Sequence, residues 1–388
     1  MAKTRIAIIG GGASATLMLA HLALSPKSKD ISVDVYDREA RFGRGIAYST
    51  TQECHLLNVR AANMSAYHDE KDDFAAWASA RGYGADDFVP RMLFGDYLSE
   101  KLHDAQGKMT VRLIKEDVKE CRKADGGYEI NGEKYDHAIL ASGNVRALHM
   151  KKDSAGDCHD CPWRLDYKAM RGSSHIALVG SGLSAVDAAI GLREHGYKGK
   201  VTIISNHALL PMTHAEPAKY EPFLTFREDE RLPPSKMMRR IRDEIDAAAN
   251  DGVPWQAVID AMRGHTNIIW ESWSPAERKS FLGHVLTFWN VHRHRMAPEI
   301  AAKLETMNVE FIKARAEKIE GNKVILRGGK TITADAIVNC LGYRYDEPGR
   351  VYEVSGKIGP ACFGDMFETT AIPEIRMQAH QMAQEILG

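Results

Sequence analysis

The sequence predicts an α/β chain of two doubly wound parallel sheets, each completed by a small β-meander, with a helical insertion in the second unit. Two observations carry this. A short apolar run, a glycine-rich turn and a helical apolar pattern follow one another at residues 6–22 and again at residues 176–192. Each unit then closes in the same way, with short strands separated by turn signals and a last apolar strand that runs into glycine, Gly143 in one and Gly342 in the other. The length of 388 residues also exceeds a usual single domain.

The first run, Ile6-Ala7-Ile8-Ile9, meets Gly10-Gly11-Gly12-Ala13-Ser14-Ala15, and Leu17, Leu19, Ala20 and Leu22 continue as a helix. The second, Ile176-Ala177-Leu178-Val179, meets Gly180-Ser181-Gly182-Leu183-Ser184-Ala185, followed by Val186, Ala188, Ala189, Ile190 and Leu192. Both turns read G-x-G-x-x-A. Gly10 and Gly180 permit the tight turn, and Gly12 and Gly182 let a pyrophosphate approach the backbone. Ala15 and Ala185 let the helix pack closely on its strand, and Ser14 and Ser184 stand beside them at the helix N-terminus, where phosphate charge is favoured. Two such Rossmann-like turns in one chain point to two dinucleotides that exchange electrons. The plain alternative for either copy is a tight strand-to-helix turn made of small residues.

The strand over residues 31–36 ends in Asp37, placed to accept from ribose hydroxyls. In the second unit Val201-Thr202-Ile203-Ile204 ends in Ser205-Asn206-His207, with no acid to repel a 2′-phosphate and no arginine to clamp one. NADPH and NADH therefore both stay open for this site. The remaining strands of the first unit are Val111-Arg112-Leu113-Ile114, Tyr128-Glu129-Ile130 and the run from His137 through Ala141 to Gly143. Their counterparts are Val309-Glu310-Phe311-Ile312, Lys323-Val324-Ile325-Leu326 and the run from Asp335 to Gly342, with Asn131-Gly132, Gly321-Asn322 and Gly328-Gly329 as turns.

Residues 215–307 are extra to a bare nucleotide domain. Met237, Ile241 and Ile245, then Trp255, Val258, Ile259 and Met262, then Phe281, Val285, Phe288 and Trp289 recur at helical spacing. A helical packing element and a lid or substrate wall both fit. Phe363-Gly364-Asp365 turns toward a last helix over 374–387, with Thr369 or Thr370 as its cap.

The balance of 51 basic against 52 acidic residues offers no footprint for nucleic acid or an anionic membrane. No run of about eighteen apolar residues is present to span a bilayer. The first strand starts within a few residues of Met1, which leaves no room for a signal peptide, so a cytoplasmic protein with a small-molecule substrate is expected. The six cysteines are scattered and expected to be reduced. Cys158-His159-Asp160-Cys161 could be a redox pair, half a zinc site with His149 and His159, or an incidental pair in a polar linker. The incidental pair is the expectation, and no metal site is expected.

His292-Arg293-His294-Arg295 is the densest polar cluster in an apolar context. Helical spacing puts His292 and Arg295 on one side, and Arg293 and Arg295 could hold an anionic or carbonyl-rich substrate. The alternative is a solvated helix end whose cations meet the last carbonyls before Pro298. His214 follows the Leu210-Pro211-Met212-Thr213 turn near the expected nicotinamide pocket and is a catalytic candidate beside a structural reading.

The layout resembles the flavoproteins with two dinucleotide-binding domains, the first holding FAD and the second NADPH or NADH. That resemblance implies a discontinuous FAD domain, 1–150 and 343–388, and an NAD(P) domain, 170–342, with the insertion inside it. More narrowly, Phe42-Gly43-Arg44-Gly45-Ile46-Ala47-Tyr48, His55-Leu56-Leu57-Asn58-Val59, the stretch Phe88 to Leu98, Trp289 to Arg295 and Glu368 to Arg376 resemble a bacterial family of FAD-NAD(P)-binding proteins that includes flavin-dependent urate hydroxylases. Arg60 and Asn206 depart from its pattern, where a proline and an arginine are expected. The resemblance implies that Gly45, Asn58, Val118, Ala141, Gly143, Thr369 and Thr370 border FAD and that Ser205 borders the nicotinamide nucleotide. It also implies that the last helix points its N-terminus at the flavin ring, where its dipole would favour negative charge. The expected activity is that of an FAD-dependent monooxygenase in which NAD(P)H reduces the flavin and oxygen then hydroxylates a small polar substrate. A reductase without oxygen insertion and a non-catalytic FAD sensor are the alternatives.

Overall fold

The computed structural model describes residues 3–144, 146–147, 151–152, 158–224, 231–344 and 348–388. Two five-stranded parallel sheets organise it. The first runs, in order, Gly356–Lys357, His137–Leu140, Thr4–Ile9, Ile31–Tyr36 and Thr110–Ile114. The second runs Cys158–His159, Ala336–Asn339, His175–Val179, Lys200–Ser205 and Val309–Lys313. The glycine-turn strands are apolar without alternation because both faces are covered. Ile6 and Ile8 pack under the helix Ala13–Leu24 with Leu17 and Met18, while Ala7 and Ile9 face the meander with Cys121 and Ile130. Ile176 with Leu178, and Ala177 with Val179, divide in the same way around the second central strand.

The meanders are Glu120–Ala124, Gly127–Ile130 and Glu133–Tyr135 in the first unit, and Ala316–Glu320, Lys323–Leu326 and Thr331–Thr333 in the second. Asn131 and Gly132 take positive φ of 50° and 83°, as a two-residue hairpin turn requires. Each meander gains a parallel fourth strand from a connecting segment, Val351–Tyr352 in the first and Lys151–Lys152 in the second. The two connections themselves pair antiparallel at Arg146–Ala147 and Tyr343–Arg344. The second sheet thus begins at Cys158, upstream of residue 170 and inside the stretch that reads as a linker.

The insertion comprises the helices Pro234–Asn250, Trp255–Ala261, Thr266–Ser272, Pro275–His284, Leu286–Arg293 and Pro298–Glu305. They enclose an aromatic cluster of Trp270, Trp273, Phe281 and Trp289. The periodicity read from Phe281 to Trp289 is not one helix. It breaks at Val285, and Phe288 is 45% exposed. The last helix is Ile372–Leu387 with Ala371 at its N-cap and no side-chain cap, so neither Thr369 nor Thr370 caps it. It packs on Ala13–Leu24. No described helix is long and apolar enough to cross a membrane.

Buried polar contacts join the two sheet units. Arg91, at the start of the helix Arg91–Lys108, lies 3.4 Å from Asp187 on the helix Leu183–Glu194, both nearly inaccessible. Trp163 Nε1 donates to the same carboxylate at 3.1 Å, and His55 Nε2 is 3.1 Å from the Tyr167 hydroxyl. Removing one partner of a buried pair strands the other charge away from water. Arg91→Met should therefore lower unfolding free energy by about 3 kcal/mol in chemical denaturation, and adding Asp187→Asn should restore part of it.

Candidate functional site

The first turn is built by a backbone approach that only glycine allows. Gly10 has φ 107°, its amide donates to Tyr36 O at 2.8 Å, and a Cβ there would stand 2.4 Å from Ala141 O. Gly12 is the N-cap of Ala13–Leu24 without any side-chain cap, so the first amides of the helix are left for a ligand. A Cβ on Gly12 would also press on Gly45 Cα at 3.0 Å. Asp37 accepts from the amide of Gly11 at 3.2 Å and from those of Glu39 and Arg41, which fixes its carboxylate at the strand end.

A cavity of about 400 Å³ follows this turn and includes Gly10, Gly12, Ser14, Asp37, Gly45, Val118, Ala141, Gly143 and Thr370 in its lining. Arg38, Arg41, Arg44, Arg164 and Arg350 stand around it among the carboxylates Glu39, Glu116, Asp117 and Asp160, with Arg350 paired to Asp117 and Arg44 to Asp96, so guanidinium donors for phosphates are held in place by acidic neighbours. Ala15 is buried under the turn and packs helix on strand, as its small size permits. Asn58 borders the central cavity, not this one. Thr369 is fully buried with an unpartnered Oγ1 and lines none of the three cavities described here. Uncapped helix amides, the Asp37 carboxylate fixed at the end of the next strand and the arginines around the cavity together fit FAD.

The second turn repeats the geometry. Gly180 has φ 111°, donates to Ile204 O at 2.8 Å, and a Cβ would meet Cys340 O at 2.2 Å. Gly182 caps Leu183–Glu194 without a side-chain bond, and a Cβ on it would enter open space. A cavity of about 1050 Å³ is lined by Gly180, Gly182, Ser184 and Ser205, while Ala185 packs beneath the turn. Ser205 Oγ is tied to the turn, accepting from Ser181 Oγ at 2.9 Å and from the Ala208 amide at 3.0 Å. The same cavity gains two cations that sequence reading missed, Arg315 and Lys318. Ala314 donates to Ser205 O at 3.0 Å, which sets Arg315 beside the end of the second strand. The signal was there, a basic residue just past the strand ending at Lys313, but only the pairing of Lys200–Ser205 with Val309–Lys313 brings it to the nucleotide turn.

Between these two lies a central cavity of about 1020 Å³. It shares Tyr48, Ser142 and Thr370 with the first and Gly182, Ser184 and Leu341 with the second, so it adjoins both. One wall comes from the insertion and the segment leading into the last helix: Leu286, Trp289, Asn290, Arg293, His294, Phe363, Phe367 and Glu368. Arg293 lies 3.3 Å from Glu368 and 3.6 Å from Glu374, all three buried. Arg293 Nε and Nη2, Glu368 Oε1 and Trp289 Nε1 are buried without hydrogen-bond partners. Burial alone would raise Glu374, but the bidentate Arg263 hydrogen bonds, at 2.5 and 2.9 Å, outweigh it and hold the carboxyl below its usual range.

The four-residue cluster separates. The helix ends at Arg293, so His292 and Arg295 do not share a helical face. Arg295 is buried away from the cavity, its Nη2 donating to both Asp260 carboxylate oxygens at 2.5 and 2.7 Å and its Nη1 to Gln256 O. His292 Nδ1 bonds Phe288 O. His214 also lies outside the cavity lining, its Nε2 3.0 Å from Asn58 O and its ring against Phe88. Cys161 is a free thiol 3.7 Å from the Tyr343 hydroxyl. The side chain of Cys158 and all of His149 fall outside the described residues.

Residues 7–145 match the model of a family described as FAD-NAD(P)-binding. No curated protein sequence matches the chain. Among solved structures, ornithine N-hydroxylase of Kutzneria sp. 744 is similar with a TM-score of 0.59 at 12% identity, over 99% of each chain. The bacillithiol disulfide reductase of Staphylococcus aureus gives 0.55 at 14% identity over 100% of this chain and 99% of that one. Tmm of Pelagibacter sp. gives 0.51 at 14% identity over 90% of this chain, which spans only 63% of Tmm. The chain therefore has the fold of two-nucleotide flavoenzymes, one shared by hydroxylases and reductases.

Burial pushes His214 down to about 4, with the Arg295 charge adding to it, and pushes His294 down to about 4 with help from Arg293. Both are neutral in the fold and protonate near 6.5 when unfolded, so their stability is present above 6.5 and is lost as pH falls toward 4. The melting temperature should drop across that window, and less steeply in the His214→Gln, His294→Gln double variant. Equal slopes would assign the loss to other groups.

Proposed function

We propose that the chain is an FAD-dependent oxidoreductase that takes electrons from NADPH and hydroxylates a small polar substrate in the central cavity. The observation that carries this reading is that the two glycine-turn cavities each share wall residues with one central chamber. The family description over residues 7–145 supports FAD in the first cavity. FAD would be held by the amides after Gly12, by Asp37 toward the ribose and by the arginines around the cavity. Bound there, it supplies two-electron chemistry, accepting electrons from a nicotinamide and passing them to oxygen.

The residues of this chain do the rest. The N-terminus of Ile372–Leu387 borders both the first and the central cavity through Ile372, which aims its partial positive charge at the junction. Arg293, wedged between Glu368 and Glu374, offers donors to a carbonyl or an anion, and His294 beside it is a neutral imidazole able to exchange a proton. Phe363, Phe367 and Trp289 give that wall an apolar surface. Arg315 and Lys318 are placed to pair with a 2′-phosphate, which favours NADPH over NADH.

Cys161 on the first cavity supports a second reading, a reductase that passes electrons to a small disulfide. Anaerobic reduction followed by oxygen separates the two. The hydroxylase should be bleached by NADPH and should consume oxygen once substrate is added, whereas NADPH oxidation by a disulfide without oxygen uptake would support the reductase. A yellow protein bleached by neither nicotinamide would leave only a sensor.

Gly182→Val fills open space and should keep FAD while abolishing bleaching by NADPH. Gly12→Val should purify colourless. Arg315→Ala should weaken NADPH binding roughly tenfold, the worth of one charged hydrogen bond, and leave NADH unchanged. Arg293→Lys keeps the charge but loses the planar fork. It should raise the substrate KM by about ten- to a hundredfold with flavin reduction by NADPH near wild type. An unaltered KM would remove Arg293 from the substrate site.

A further inference from the structure

His68, Asp69 and His380 converge at a place the flavin chemistry does not use. Their ligand atoms all lie within 4.8 Å of one another, and the two imidazole rings have centroids 4.6 Å apart. His380 belongs to the last helix, and His68 and Asp69 to the segment after Tyr67. A third imidazole adjoins them. His21, on Ala13–Leu24, has its ring centroid 5.4 Å from that of His380 and is only 5% exposed. It is anchored to the backbone of Ala66, and its Nε2 is buried with no hydrogen-bond partner. A buried imidazole nitrogen without a partner costs free energy unless something accepts its lone pair or its proton.

We propose that His68, Asp69 and His380 bind a divalent transition metal, zinc by donor type, with the His21 Nε2 as the buried fourth ligand. Two or three imidazoles and one carboxylate are a borderline set that suits zinc rather than magnesium or calcium. Zinc bonds of about 2.0–2.1 Å require neighbouring donors near 3.3 Å apart in a tetrahedron, so the three donors must close by roughly 1.5 Å, and His21, which lies outside that 4.8 Å group, must move further. The exposed Asp69 and the half-buried imidazoles can do this by side-chain rotation, because the backbone beneath them is already fixed. Ser65 Oγ donates to Glu70 O at 2.6 Å and accepts from the Tyr67 amide at 3.0 Å, and the Ala66 amide donates to Tyr97 Oη at 2.8 Å.

The metal would tie together three segments of the first unit. One is the helix that starts at the first glycine turn. Another is the loop whose Met64 lines the central cavity, and the third is the helix whose Ile372 lines two cavities. Binding to the folded chain alone stabilises it in proportion to ligand occupancy.

The test uses the FAD-loaded protein, stripped with a chelator and titrated with zinc at neutral pH by calorimetry, with the melting temperature followed in parallel. The expected result is one zinc per chain and a raised melting temperature. His68→Ala and His380→Ala should each weaken binding by at least about a hundredfold, the upper end of what losing an outer-shell partner costs. His103→Ala, an exposed histidine elsewhere, should bind as wild type. His21→Gln should weaken binding too, and should lower it less than His380→Ala if water takes the fourth position. Absence of stoichiometric binding, or binding unchanged in both His68→Ala and His380→Ala, would overturn the proposal. Neither outcome bears on the flavin reading, whose test is bleaching by NADPH.

Discussion

The structure depends on one close approach, made twice. A turn backbone without a Cβ lies against the carbonyl at the end of the neighbouring strand, Gly10 on Ala141 and Gly180 on Cys340. Each approach sets the strand end, the uncapped helix start and the mouth of a cavity in one fixed relation. Around the two turns stand Asp37 at the end of the next strand, the open space over Gly182, and Arg315 one strand further on. The central chamber borders both turns, sharing Ser142 and Thr370 with one cavity and Gly182 and Ser184 with the other. The buried pair of Arg91 and Asp187 helps to hold the units that carry them together.

That part was legible in the sequence because it rests on local covalent facts. Glycine spacing, continuous apolar strands and the acid after Tyr36 report backbone conformation and burial within a few residues. What was illegible depends on pairing over long separations. Glu120–Ala124 and Ala316–Glu320 are strands, yet each carries one wholly buried apolar side chain, Cys121 or Ile319, among charged neighbours. Cys158–His159 reads as linker because two residues leave no periodicity. Arg315 is an unremarkable surface cation until strand order sets it beside Ser205.

The polar cluster near residue 293 shows the same limit at the scale of a single helix. Adjacent residues separate completely: Arg293 faces the chamber and two carboxylates, whereas Arg295 is spent on Asp260. Spacing alone assigned them a common task. The helix end at Arg293 changes the direction of the chain, and with it the work each side chain can do. The chamber wall is therefore an ionic group with unmet hydrogen-bonding capacity, a costly arrangement in isolation that a bound polar molecule would relieve.

The crossed connections also constrain how the chain reaches its fold. The first sheet lacks its edge strand until Gly356–Lys357 is made, the first meander waits for Val351–Tyr352, and Ala13–Leu24 stays uncovered until Ile372–Leu387 arrives. The second sheet, by contrast, can close on residues synthesised consecutively from Cys158 to Asn339. Vectorial synthesis therefore completes the downstream unit before the upstream one. The amino-terminal third must wait on the ribosome with one flank of its core open, a window in which chaperone protection or early nucleotide binding would matter most.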